Sequence, residues 1–148
     1  TAIGQGNTLV SPMHMALITS SIANGGVLMK PYLIDHVENA GGQTVKKFMP
    51  SAYGGLMSGE DAAVLTELMT AVVTEGTGSA LRGAPYTAAG KTGSAEFETG
   101  KETHAWFVGF APADKPKIAV SIVVEAAGTG NRYAVPIAKA MFSEYLGN

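Results

Sequence analysis

Apolar residues recur at helical spacing in three stretches of the chain and at strand spacing in much of the rest. Met13, Ala16 and Leu17, with Met15, Ile18 and Ile22, follow Ser11-Pro12, a serine suited to cap a helix and a proline suited to its first turn. Asn24-Gly25-Gly26 is expected to end that helix. Ser58, with an acid three residues later, opens a second helix whose stripe is Leu65, Leu68, Met69, Val72 and Val73, ending at Glu75-Gly76-Thr77-Gly78. A third is expected to open at Val135-Pro136, with Ile137, Met141 and Tyr145 beside Ala138 and Phe142 against a sheet.

Between the helices the period shortens. Residues 27–48 read as extended, with Ala40-Gly41-Gly42-Gln43 as a hairpin turn between 33–37 and 44–48, and 51–59 reads as loop. Past Pro85 come strands at 88–97 and 103–111, then Ile118 to Val124, so continuously apolar that it is expected at the centre of the sheet. Short connections imply antiparallel neighbours. The class is α+β, an antiparallel sheet with flanking helices.

Composition narrows the function. Apolar residues make up 46% and charged residues 15%, enough for a buried core and too little charge for disorder. A net charge of −2 without a basic stripe argues against nucleic acid, and the acidic residues are scattered. The absence of cysteine excludes disulfides, zinc–thiolate sites and thiol catalysis within these 148 residues, and no metal or cofactor is expected. No apolar run approaches the ~18 residues that span a bilayer, and no signal peptide precedes the first helix. The chain begins at Thr1 without methionine. It is therefore read as part of a longer precursor, with any membrane anchor upstream.

The chemistry concentrates in Gly90-Lys91-Thr92-Gly93-Ser94-Ala95-Glu96. A K-T-G triplet alone is common and can be a glycine-broken strand with a solvated lysine. Gly90-Lys91-Thr92 also matches the end of a phosphate loop, but the leading glycine of that motif falls on Pro85, and a strand pattern follows instead of a helix. The remaining reading is the K-[ST]-G element of penicillin-recognising serine acyl-transferases, which accompanies S-x-x-K and S-x-N.

The wider sequence resembles the transpeptidase domain of high-molecular-weight penicillin-binding proteins. Gly4-Gln5-Gly6, Val10-Ser11-Pro12, Asn24-Gly25-Gly26, Lys30-Pro31, Gly76-Thr77-Gly78, residues 89–96 and Ala105-Trp106-Phe107-Val108-Gly109-Phe110-Ala111-Pro112 occur in that family's order over nearly the whole chain. His104-Ala105-Trp106 has the form of class B, the monofunctional transpeptidases. Residues 1–148 are thus expected to be the C-terminal portion of a fold shared with serine β-lactamases. The resemblance implies peptidoglycan cross-linking on the extracytoplasmic face of the membrane, with the D-Ala-D-Ala stem peptide and β-lactams as ligands. It implies a cation at Lys91, hydroxyls at Thr92 and Ser94 for the ligand carboxylate, an oxyanion donor in the Ser94 N–H, and a flat wall at Gly93. An ordinary strand hydroxyl at Thr92 and a bulge glycine at Gly93 remain open alternatives; the resemblance implies that Gly76-Thr77-Gly78 lies near the cleft, without chemistry of its own. A β-lactam sensor domain and a β-lactamase are the competing functions.

One departure limits the site. No serine in these 148 residues has lysine three positions later, and no S-x-N triplet occurs. The nucleophile is therefore not among them. The resemblance also implies five strands, two from the start of the domain, lying beside 117–125. Without them that edge is expected to pair with another copy or with a non-native segment of the same chain.

Overall fold

The computed structural model describes residues 8–147. The Gly4-Gln5-Gly6 element lies outside them. Helix α1 spans Pro12–Ala23, and the Ser11 hydroxyl accepts the His14 N–H at 3.2 Å. Gly25 and Gly26 follow at φ 63° and 90°. A Cβ at Gly26 would run into the Met57 backbone, so this turn needs glycine for space as well as for its dihedral. Two small antiparallel sheets come next. β1 (Val27–Met29) pairs with β4 (Ala52–Gly55), and β2 (His36–Glu38) with β3 (Thr44–Lys47) across the expected hairpin. Residues 52–55, expected as loop, form a strand because β1 takes its partner from beyond the hairpin.

Helix α2 (Gly59–Thr74) opens as expected. The Ser58 hydroxyl accepts the Asp61 N–H at 3.0 Å and donates to the Asp61 carboxylate at 2.7 Å. Met69 and Val73 are buried, whereas Leu68 points outward. A short 3-10 turn, Ser79–Leu81, leads to the main sheet. Its order is β5 (Ala89–Ala95), β6 (His104–Ala111), β7 (Ile118–Val124), antiparallel throughout.

Among the described residues β6 is the middle strand and β7 an edge, the position expected of 117–125 where its two neighbouring strands lie outside these residues. Opposed residues in an antiparallel sheet share a face, and the row Ala89–Phe110–Ala119 packs with Ile18 and Ile22 of α1 and Met69 of α2. The alternate face, with Phe107, Val120 and Ile122, packs on Ala134, Val135, Ala138 and Phe142 of α3. No described segment pairs with the outer edge of β7.

Helix α3 runs Gly130–Leu146, so Pro136 sits inside it instead of opening it. An interior proline costs about 3 kcal/mol. Burial of Ala134, Val135, Ala138 and Phe142, each 0% exposed, holds the helix through it. Ile137, Met141 and Tyr145 face outward, contrary to expectation. Both rows have i, i+4 spacing. The inner row sets Ala134 and Ala138 close against the sheet and places Phe142 in the core beside them.

Gly90 and Gly109 stand opposite each other in β5 and β6, and the ring of Phe107 lies across both. A Cβ at Gly90 would enter that ring, and one at Gly109 would stand 2.8 Å from it. In the complete protein, Gly90→Ala is expected to cost about 1–3 kcal/mol by overpacking, and Phe107→Ala about 3–5 kcal/mol. Because the added methyl would occupy space the ring vacates, the double variant should lose less than the sum. Denaturant titration reads this, and strict additivity would show that the two groups do not meet.

Candidate active site

The K-T-G-S segment occupies the middle of β5, at the edge of the sheet. Its register with β6 is unbroken: Lys91 opposes Val108, Thr92 Phe107, Gly93 Trp106 and Ser94 Ala105. Gly93 is therefore not a bulge glycine. A Cβ there would stand 3.3 Å from the Trp106 Cβ, a tight but not prohibitive contact.

Alternation divides the segment between two faces. Thr92 lies on the α3 face with Phe107, and Ser94 shares it. Lys91 and Gly93 lie on the face of Ala89, the α1 and α2 side. Lys91 is exposed, and its ammonium donates to the Thr92 carbonyl at 2.8 Å. A cation and two hydroxyls thus flank one strip of edge backbone, an arrangement suited to holding an extended, carboxylate-bearing chain.

Thr77 joins this group. Its hydroxyl lies 2.6 Å from the Thr92 hydroxyl. The loop that carries it folds tightly onto the end of α2. The Gly78 N–H donates to Val72 O at 2.8 Å, and Cβ atoms at Gly76 and Gly78 would press on the Val72 carbonyl at 3.0 and 3.1 Å. Gly76-Thr77-Gly78 ends α2 and lies near the K-T-G-S strand, as expected, but the Thr77 hydroxyl contact is not legible in the sequence. The available signal was a hydroxyl held between two glycines, but a contact across fifteen residues has no local periodicity to announce it.

His104 opens β6 opposite Ala95, stacks on Phe97 at 4.0 Å and accepts the Ala126 N–H through Nδ1 at 3.0 Å. Its role is to order a strand end. Phe107 and Phe110 are fully buried as packing residues. The pKa of His36 is raised by hydrogen bonds to Asp35 and then Glu38, and that of Asp114 is lowered chiefly by the Thr87 hydroxyl. No group of three or more metal-ligating side chains occurs among the described residues.

The chain belongs to the penicillin-binding protein transpeptidase domain family, whose model matches residues 1–144. It is 36% identical to the peptidoglycan D,D-transpeptidase PbpA of Mycolicibacterium smegmatis, covering 98% of this chain and 31% of that protein. It is 33% identical to the peptidoglycan D,D-transpeptidase MrdA of Acinetobacter baumannii, covering 98% and 24%. It superimposes on penicillin-binding protein A from M. tuberculosis, solved as an imipenem acyl-enzyme complex, with a TM-score of 0.89 at 34% identity, covering 98% of this chain and 33% of that one. The chain thus spans under a third of the two transpeptidases and one third of the solved chain.

The Thr77–Thr92 contact generates a prediction. Thr77→Val removes one neutral hydrogen bond, worth about 1 kcal/mol, or roughly fivefold in rate if Thr92 is thereby mispositioned. Penicillin acylation of the complete protein should slow by about that factor with little change in melting temperature. Equal rates would remove Thr77 from the site.

Proposed function

We propose that the complete protein is a peptidoglycan D,D-transpeptidase of the class B type, in which this chain supplies one wall of the active site. The observation that carries the reading is the unbroken Lys91–Ser94 edge strand with the Thr77 hydroxyl beside it. The transpeptidase names of the relatives favour cross-linking over the sensor and β-lactamase readings.

In this proposal a serine outside these residues attacks the carbonyl of the D-Ala-D-Ala amide, terminal D-alanine leaves, and an amine from a neighbouring strand resolves the ester. A β-lactam mimics the donor and leaves a slow ester. Lys91 supplies positive potential for the donor carboxylate. Its present bond to the Thr92 carbonyl lies at the surface and is readily exchanged. Thr92 and Ser94 offer hydroxyls to the same carboxylate. The Ser94 N–H acts as one oxyanion donor, a role worth about 3 kcal/mol in the transition state. Gly93 keeps the edge open to an extended ligand. Such a substrate places the protein on the extracytoplasmic face. Among the described residues no helix is long and apolar enough to cross a membrane.

Replacing Lys91 by alanine in the complete protein should slow β-lactam acylation by roughly ten- to a hundredfold, the scale of one hydrogen bond to a charged group. Melting temperature should barely move, because the side chain is exposed. Stopped-flow acylation with a fluorescent penicillin decides. Rates equal to the parent would sink the assignment.

The 148-residue chain on its own is expected to be inert and to self-associate. It holds no S-x-x-K serine, and the apolar β7 edge has no described partner, which makes it a template for a second copy. Intact mass after penicillin treatment should show no adduct, and sedimentation should be concentration-dependent. A stoichiometric adduct, or a monomer at high concentration, would refute the corresponding half.

A further inference from the structure

We propose that Gly130, the first residue of α3, is a positioning residue that sets the orientation of the Gly93–Ser94 peptide through direct backbone contact. The inference rests on the function proposed above, because that peptide carries the Ser94 N–H.

Gly130 is buried. A Cβ built on it would overlap the Trp106 carbonyl oxygen and stand 2.7 Å from Gly93 O and 3.1 Å from Gly93 N. The start of α3 therefore touches β5 and β6 together, at the single cross-strand pair Gly93–Trp106. Gly130 does not adopt a left-handed φ, so its missing side chain answers to space and not to conformation.

The approach is fixed from behind. Ala127 and Gly128 donate their N–H groups to Thr103 O at 3.1 and 2.9 Å, the Thr103 hydroxyl donates to Gly128 O at 2.6 Å, and Ala126 N–H donates to His104 Nδ1. Ala126 and Gly128 take φ 47° and 105°, which bends the connection back onto the start of β6. Three consecutive residues before the helix are thus clamped to the strand that pairs with β5.

The peptide bond converts this contact into chemistry. Gly93 C=O and Ser94 N–H lie in one rigid plane. A group pressing on the carbonyl oxygen cannot move it without rotating the N–H at the other end of that plane. An oxyanion donor works only when it is aimed before the reaction, since its value lies in not having to reorganise. With β6 on only one side of β5, the start of α3 supplies a second backbone constraint on this peptide.

The test uses the complete protein and a fluorescent penicillin, resolving three quantities: the initial binding constant, the acylation rate constant and the fraction of molecules acylated at completion. Loss of one oxyanion donor costs about 100- to 1,000-fold. Gly130→Ala, which displaces the donor without deleting it, should slow the acylation step at least tenfold, with the binding constant within about twofold and the final fraction unchanged. Thr103→Val, which loosens the clamp without adding bulk, should slow the same step by a smaller factor, roughly two- to fivefold. A purely structural role predicts the opposite split, a reduced acylated fraction at an unaltered rate constant, and that result overturns the proposal. If Gly130→Ala fails to fold, an unaltered rate constant in Thr103→Val overturns it equally. A parent protein that penicillin does not acylate would refute the function itself, and this inference with it.

Discussion

The β5–β6 ladder is the interaction on which the rest of this structure depends. An edge strand that receives a ligand must keep one row of backbone groups open, so everything that holds it in place has to come from the other row and from above and below. Seven consecutive pairs join β5 to β6 without a slip. At one end of the ladder the Gly90–Gly109 pair is roofed by Phe107, and near the other Gly130 reaches the Gly93–Trp106 pair. Glycine is required at both places for the same reason, that something must approach the backbone more closely than a Cβ permits. Lys91 and Thr92 lie between these two fixed points, and Ser94 follows directly after the second.

The helices add support that differs by face. Helices α1 and α2 seal the face of Ala89, Phe110 and Ala119, and α3 seals the face of Phe107, Val120 and Ile122. Because the ladder does not bulge, these two cores dictate where each side chain of the Lys91–Ser94 segment goes. A slip of one residue would exchange the lysine and the hydroxyls between faces. The unbroken register therefore fixes which face carries the lysine and which carries the hydroxyls.

Much of this was legible in the sequence, and the failures share a cause. Ser11-Pro12 and Ser58 marked helix starts because capping is local chemistry, a hydroxyl meeting an N–H three residues away. The K-T-G-S strand and its hairpin were legible from alternation and glycine. What could not be read was long-range. β1 bypasses the adjacent hairpin to pair with residues 52–55, Thr77 meets Thr92 across a helix end, and α3 turns its alanines inward although Ile137, Met141 and Tyr145 are larger and more apolar. In each case the partner lies far along the chain or across the core, where local periodicity does not reach. The apolar run Ile118–Val124 was legible as a strand covered on both faces. An apolar strand records two covered faces, and α1 and α3 cover both faces of β7 while leaving its outer row of peptide groups unpaired among the described residues.

That asymmetry between faces and edges carries one more consequence. Hydrophobic burial fixes a sheet through its faces, with no preference for direction along its plane, while hydrogen bonding fixes it through its edges. The three-stranded sheet has one edge bearing the Lys91–Ser94 segment and one bearing only apolar β7. The first is chemically marked on both sides, by a cation on one and paired threonine hydroxyls on the other, so an extended chain lying there meets polar groups whichever side chain it presents. The second is marked by nothing but hydrophobicity; even Ser121, its one hydroxyl residue, has that group buried without a hydrogen-bond partner. A peptide carrying a carboxylate gains charge and hydroxyl contacts at β5 and none at β7, whereas an apolar strand gains burial at β7 and would strand polar groups at β5. The two edges of one sheet thus differ in chemistry as well as in position, polar groups marking β5 and apolar ones β7.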